Sequence, residues 1–134
     1  MPFLWSAGLE TGIREIDLQH QELFEIGNAL EQAALDGQFD HATEEILPRL
    51  HAYVLFHFGT EERLLAGHPV PAAHRARHLA EHEAFTTRIT ALRQHALSRD
   101  GLLTLIAWIS GWITEHIAQT DREMAKLLRP AAVR

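Results

Sequence analysis

Leu47-Pro48-Arg49-Leu50-His51-Ala52-Tyr53-Val54-Leu55-Phe56-His57-Phe58-Gly59-Thr60-Glu61-Glu62-Arg63-Leu64 carries an apolar stripe at Leu47, Leu50, Val54 and Leu64, and two polar residues, His57 and Glu61, sit inside that stripe. The 3.6-residue period predicts an amphipathic helix, not a strand. Positions i and i+4 share one helix face a turn apart, so the His57 and Glu61 side chains reach the same point. A polar group on a core face is costly unless it has a partner, so these two need something to bind. Imidazole with carboxylate suits iron, zinc or manganese, and a carboxylate can bridge two ions.

The same signature recurs on both sides of this segment. His20 shares a stripe with Ile16, Leu23, Phe24, Gly27, Leu30 and Ala34. His78 and His82, again four apart, share one with Phe85, Ile89 and Leu92, and His116 follows Leu105, Ile109, Trp112 and Ile113, with Asp121 downstream. Turn signals at Asp36-Gly37-Gln38-Phe39-Asp40, Gly67-His68-Pro69-Val70-Pro71 and Ser98-Arg99-Asp100-Gly101 separate the four segments. Hinges this short make consecutive helices antiparallel neighbours. The prediction is an all-α, up-down-up-down four-helix bundle forming one domain over residues 1–134. Residues 1–11, with Phe3 and Trp5, are expected to form a non-helical arm across it. Asp40 and Asp100 are the expected helix N-caps, and Pro71 suits the first turn of the third helix. Pro48 conflicts with a regular second helix: the helix bends there, or its regular part starts near it.

Composition narrows the function classes. A formal charge of −6 over 134 residues speaks against nucleic acid, whose binders carry a basic patch. The absence of cysteine excludes disulfides, thiolate metal sites and iron–sulfur clusters. The longest apolar run, Gly101 to Ile113, falls short of the roughly 20 residues a membrane span needs, and Met1 to Glu10 shows neither a basic n-region nor an apolar h-region. The expectation is a cytoplasmic protein that does not insert into membranes.

Antiparallel helices joined by a hinge place residues at equal height when their numbers average to the hinge midpoint. His57/Glu61 paired with His20, then with His78/His82, and the latter pair with His116/Asp121, give midpoints within about 2 residues of the three hinges, a few Å at 1.5 Å per residue. Five imidazoles and two carboxylates therefore fall in one slab, as an internal dinuclear metal centre requires. His74 also stands four residues from His78. Using His74/His78 instead would put the last hinge inside the third helix, so His78/His82 is the preferred pair.

Gly12-Ile13-Arg14-Glu15-Ile16-Asp17-Leu18-Gln19-His20, His57-Phe58-Gly59-Thr60-Glu61-Glu62, His78-Leu79-Ala80-Glu81-His82-Glu83-Ala84-Phe85 and Trp112-Ile113-Thr114-Glu115-His116-Ile117 with Asp121, in this order, resemble the hemerythrins, most closely the single-domain bacterial members. The resemblance covers nearly the whole chain. It implies a non-haem di-iron centre, bridged by an oxide or hydroxide, that binds O2 reversibly for storage, transport or delivery. Sensing of oxygen or redox state through a partner, or iron storage, are the alternatives. It further implies that His78, His82 and His116 ligate one iron, that His20 and His57 ligate the other, and that Glu61 and Asp121 bridge both. The second iron is then left with an open position for O2. Ile113 and Ile117, ordinary core residues by pattern, would also wall the O2 pocket, with Leu23 and Phe24 beside them. Three departures from the family pattern stand out: Leu65 where methionine is common, a stretch from Gly67 to Arg77 about two residues longer than usual, and Pro48.

Asp121 lies five residues past His116, about 140° away on a regular helix. Either a π-type widening brings the two together, or they approach a metal pair from different sides. His41, His51, His68 and His95 read as surface or hinge residues, Glu62, Glu81 and Glu83 as solvated, and Trp108 and Trp112 as core aromatics. Asp17 reads as a cap or first-turn residue of the first helix. The chain lacks the Glu-x-x-His pairs of ferritin-like di-iron enzymes, and His82-Glu83 is not followed by the histidine that a zinc peptidase needs. A binding protein, not an enzyme, is expected.

Overall fold

The computed structural model describes residues 3–132, with side chains through residue 128. A single 3-10 turn, Ala7–Leu9, precedes α1 (Arg14–Leu35). The second rod comprises α2 (Phe39–His41), a π turn (Ala42–Ile46) and α3 (Leu47–Ala66) in continuous succession. α4 (Ala72–Arg93) is the third, and the fourth is α5 (Arg99–His116), a second π turn (Ile117–Asp121) and α6 (Arg122–Ala132). Four antiparallel rods form the bundle, and no strand occurs among the described residues. No helix among them is long and apolar enough to cross a membrane.

The predicted stripes become the core. Leu23, Phe24 and Leu30 of α1, Leu47, Leu50 and Val54 of α3, Phe85 and Ile89 of α4, and Leu105, Ile109 and Ile113 of α5 form one buried cluster. In the second rod the stripe ends on Leu65, which is 1 % exposed, and not on Leu64, which is half-buried. Leu65 stands four residues after Glu61 and so continues its face. A smaller cluster of Ile16, Leu65, Val70, Met124 and Leu128 closes one end.

Local departures have local causes. Pro48 sits in the first turn of α3, directly after the π turn, where its missing N–H and ring are accommodated without breaking the rod. Asp40 is not the cap of the second rod, which starts one residue earlier at Phe39, and Asp100 is not the cap of α5. That cap is Ser98, whose hydroxyl accepts from the Gly101 N–H at 2.9 Å. The last hinge therefore spans residues 94–98, earlier than the turn signals predicted. Pro71 occupies the cap position of α4, one residue before its first turn. Among its described residues the N-terminal arm is non-helical except for its 3-10 turn, which Ser6 and Glu10 flank in extended conformation and Leu9 N–H closes onto the Ser6 carbonyl at 3.0 Å; residues 1 and 2 lie outside the described residues. The arm lies on α1: Phe3 is 2 % exposed, and Trp5 packs edge-on against Phe24 with centroids 5.6 Å apart. Asp17 accepts from Thr11 N–H and Oγ1, both at 2.8 Å, and from Gly12 N–H at 3.1 Å, tying the arm to the first turn of α1.

Candidate metal centre

All seven predicted donors meet in the middle of the bundle, each no more than 5 % exposed. α1 supplies His20, α3 supplies His57 and Glu61 from adjacent turns, α4 supplies His78 and His82, and α5 supplies His116. Asp121 is the last residue of the second π turn. That widening brings position i+5 back beside His116: Asp121 Oδ1 lies 3.1 Å from His116 Nε2.

The donors sort into two sets that share their carboxylates. Glu61 Oε1 lies 3.2 Å from His78 Nε2, 3.0 Å from His82 Nε2 and 3.9 Å from His116 Nε2. Asp121 Oδ1 faces His78 and His116, at 3.2 and 3.1 Å. The other oxygens turn the opposite way. Glu61 Oε2 is 3.1 Å from His57 Nε2 and 3.5 Å from His20 Nε2, and Asp121 Oδ2 is 3.0 Å from His20 Nε2. Two groups result, Glu61-His78-His82-His116-Asp121 and His20-His57-Glu61-Asp121, each with donor atoms within 4.8 Å of one another.

These donors fit metal ions better than they fit each other. The Nε2 atoms of His20 and His57, Oε2 of Glu61 and both oxygens of Asp121 are buried without a hydrogen-bond partner among the described residues, despite their short separations. The donor atoms of each group nonetheless lie within 4.8 Å of one another, close enough to share an ion. Charge agrees. Burial disfavours charged imidazole, but Asp121 and Glu61 outweigh it, raising His20 and His78 to about 9 and His116 to about 11. Burial likewise pushes the carboxylates up, and the surrounding imidazoles override it, holding Glu61 and Asp121 well below the usual range. Two ionised carboxylates in a dry core require positive charge beside them, which protons or metal ions can provide in competition.

Behind the ligands stand polar groups that the periodicity of the chain does not mark. Glu62 and Glu81 are not simply solvated: Glu62 Oε2 accepts from His82 Nδ1 at 2.9 Å, and Glu81 Oε1 accepts from His116 Nδ1 at 2.8 Å and from Thr120 Oγ1 at 2.7 Å. Glu83 alone of the three is exposed. Gln19 Oε1 accepts from His57 Nδ1 at 2.7 Å. Each of these residues directly adjoins a ligand in sequence (Gln19-His20, Glu61-Glu62, Glu81-His82) and supports a ligand on the next rod, a contact that the sequence of one helix does not reveal. His74 is 4 % exposed and lies outside both donor groups. Its Nε2 meets His78 Nδ1 at 3.1 Å, and its Nδ1 meets Glu123 at 3.1 Å.

Ile113 and Ile117 do flank the cluster. With Leu23, Val54, Phe58 and Trp112 they line a small cavity of about 10 Å³ beside His20, His57, His116 and Asp121. Phe24 lies in the core but does not line it. Aromatic faces hold two ligand rings: Phe58 stacks on His82 at 3.8 Å and Trp112 on His116 at 4.6 Å.

Comparison with known proteins points the same way. The family model described as "Hemerythrin HHE cation binding domain" matches residues 11–128. The chain is 30% identical over 128 residues to a protein of Clostridium acetobutylicum named "Bacteriohemerythrin", covering 90% of this chain and 97% of that one. It is 33% identical over 121 residues to a protein of the same name from Pseudomonas paraeruginosa, covering 88% and 76%. A "Hemerythrin-like protein" of Naegleria gruberi is 29% identical over 131 residues, covering 95% and 94%.

Proposed function

Because this chain belongs to the hemerythrin family, we propose that it binds O2 reversibly at a pair of non-haem irons, as a single-domain store or carrier and not as an enzyme. The observation that carries this reading is the division of each carboxylate. Glu61 turns Oε1 toward His78, His82 and His116 and Oε2 toward His20 and His57, and Asp121 turns Oδ1 toward His78 and His116 and Oδ2 toward His20. Bidentate residues shared in this way suit two ions side by side, with His78, His82 and His116 on one and His20 and His57 on the other. A pair of ferrous ions there supplies the two electrons that reversible O2 binding draws on.

The chain's own part is to hold, shield and distinguish the two positions. The side with fewer histidines is bordered by Leu23, Val54, Ile113 and Ile117, an apolar lining that excludes water and favours a small uncharged ligand. Five neutral imidazoles and only two carboxylates give a donor set poor in negative charge. That composition supports binding over the high-valent chemistry of carboxylate-rich di-iron enzymes. The test is iron analysis together with the visible spectrum of the reduced, iron-loaded protein. Two irons per chain and a band that appears with O2 and vanishes on deoxygenation are expected. One iron per chain, or two ferrous ions that take up no O2, refutes the reading.

A further inference from the structure

The outer nitrogens of the five imidazoles divide along the same line as the inner ones. On the three-histidine side every Nδ1 leads to a carboxylate. His82 ends on Glu62 at 2.9 Å, His116 on Glu81 at 2.8 Å, and His78 passes through His74 to Glu123, at 3.1 Å for each step. On the two-histidine side none does. His57 meets the neutral amide oxygen of Gln19 at 2.7 Å, and His20 Nδ1 has no hydrogen-bond partner among the described residues.

With each Nε2 turned inward to a metal, the ring proton sits on Nδ1, and these contacts are N–H donations outward. The three-member chain is then fully specified: His78 donates to His74 Nε2, and His74 donates to Glu123 Oε1. An N–H shared with a carboxylate makes the opposite ring nitrogen a stronger donor to metal, and a neutral amide does so less.

From this asymmetry, and resting on the di-iron reading above, we propose that Glu62, Glu81 and the His74–Glu123 pair are positioning residues that make the three-histidine position the tightly held one, so that the His20/His57 position gives up its ion first. The labile position is the one that adjoins the apolar cavity. The Glu62, Glu81 and Glu123 side chains are 42, 32 and 46% exposed. Solvent therefore screens each charge, and each is worth about 10-fold in metal retention, the low end for such outer partners.

Chelator-driven loss of iron from the reduced two-iron protein tests this. Two phases of equal amplitude are expected. After the fast phase, the one-iron protein should show three solvent-exchangeable imidazole N–H signals shifted by the paramagnetic ion in its proton NMR spectrum. Glu62→Gln and Glu81→Gln preserve shape and remove charge, and His74→Phe fills its site without accepting a hydrogen bond. Each should speed the slow phase about 10-fold and leave the fast phase unchanged. Gln19→Glu should slow the fast phase alone. Equal acceleration of both phases, an unchanged slow phase, or two shifted N–H signals in the one-iron protein overturns the proposal. A protein that never holds two irons refutes the di-iron reading itself, a separate failure.

Discussion

Glu61 touches both halves of the site: its two oxygens face different histidine sets, and it is fully buried. Truncating it leaves imidazoles in a dry core with one bridge removed, where breaking a buried charged pair costs about 3–5 kcal/mol. Glu61→Ala should lose at least one iron per chain and melt at a lower temperature, whereas His95→Ala, exposed in the hinge after α4, should change neither iron content nor Tm. Equal metal loss in the two variants would refute the assignment. His74 and His82 make a sharper pair. With the last hinge at residues 94–98 and not 98–101, helix height alone does not separate His74 from His82. What keeps His74 out of the cluster is its ring, engaged by His78 on one side and Glu123 on the other. His82→Ala should therefore lose an iron and O2 binding, while His74→Ala isolates with both irons.

Among elements, the two π turns are the features that simple periodicity describes least well. The turn at Ile117–Asp121 accommodates five residues where a regular helix would place four, keeping Asp121 and the α6 core residues Met124 and Leu128 in register with the bundle. Deleting the exposed Gln119 should convert it to regular α-helix, with the aspartate now four residues past His116 and still facing inward, and iron content should stay at two. Inserting one alanine at the same place should turn Asp121 and the α6 face by about 100° and abolish the second iron. Iron analysis and helical circular dichroism on both variants distinguish these outcomes. If both lose iron equally, register is not what the turn preserves. The spacing of five between His116 and Asp121 indicated that something had to give, but a widened turn and an approach from two sides were equally compatible with it. Which occurs is decided by α6, whose apolar residues must reach the core beyond the turn.

At the scale of the whole molecule the arm and the bundle are fitted through Gly27. A Cβ there would stand 2.6 Å from the Phe3 ring, and Asn28 holds the backbone of Phe3 through both its N–H, at 3.3 Å, and its carbonyl, at 2.8 Å. Gly27→Ala should push the ring out and destabilise the fold by about 1–3 kcal/mol. Gly111→Ala, where a Cβ meets nothing within 4 Å on the exposed face of α5, should stabilise by up to about 1 kcal/mol. Thermal melts of the two variants should move in opposite directions, and a fall of equal size in both would show that the Phe3 contact is not what Gly27 serves. Much of the molecule was already written in the chain. The stripes around His20, His57, His78 and His116 specified four helices and their inward faces, because burial at a 3.6-residue period leaves an unambiguous record, and ligands inside those stripes had to meet once short hinges folded the rods side by side. Tertiary structure alone decided the rest. Glu62, Glu81 and Gln19 resemble any polar residue beside a stripe, and the contacts that give them a role are made to the neighbouring rod. Whether such a residue faces water or a ligand histidine depends on how two helices rotate against each other, an angle that packing fixes and that no single helix records.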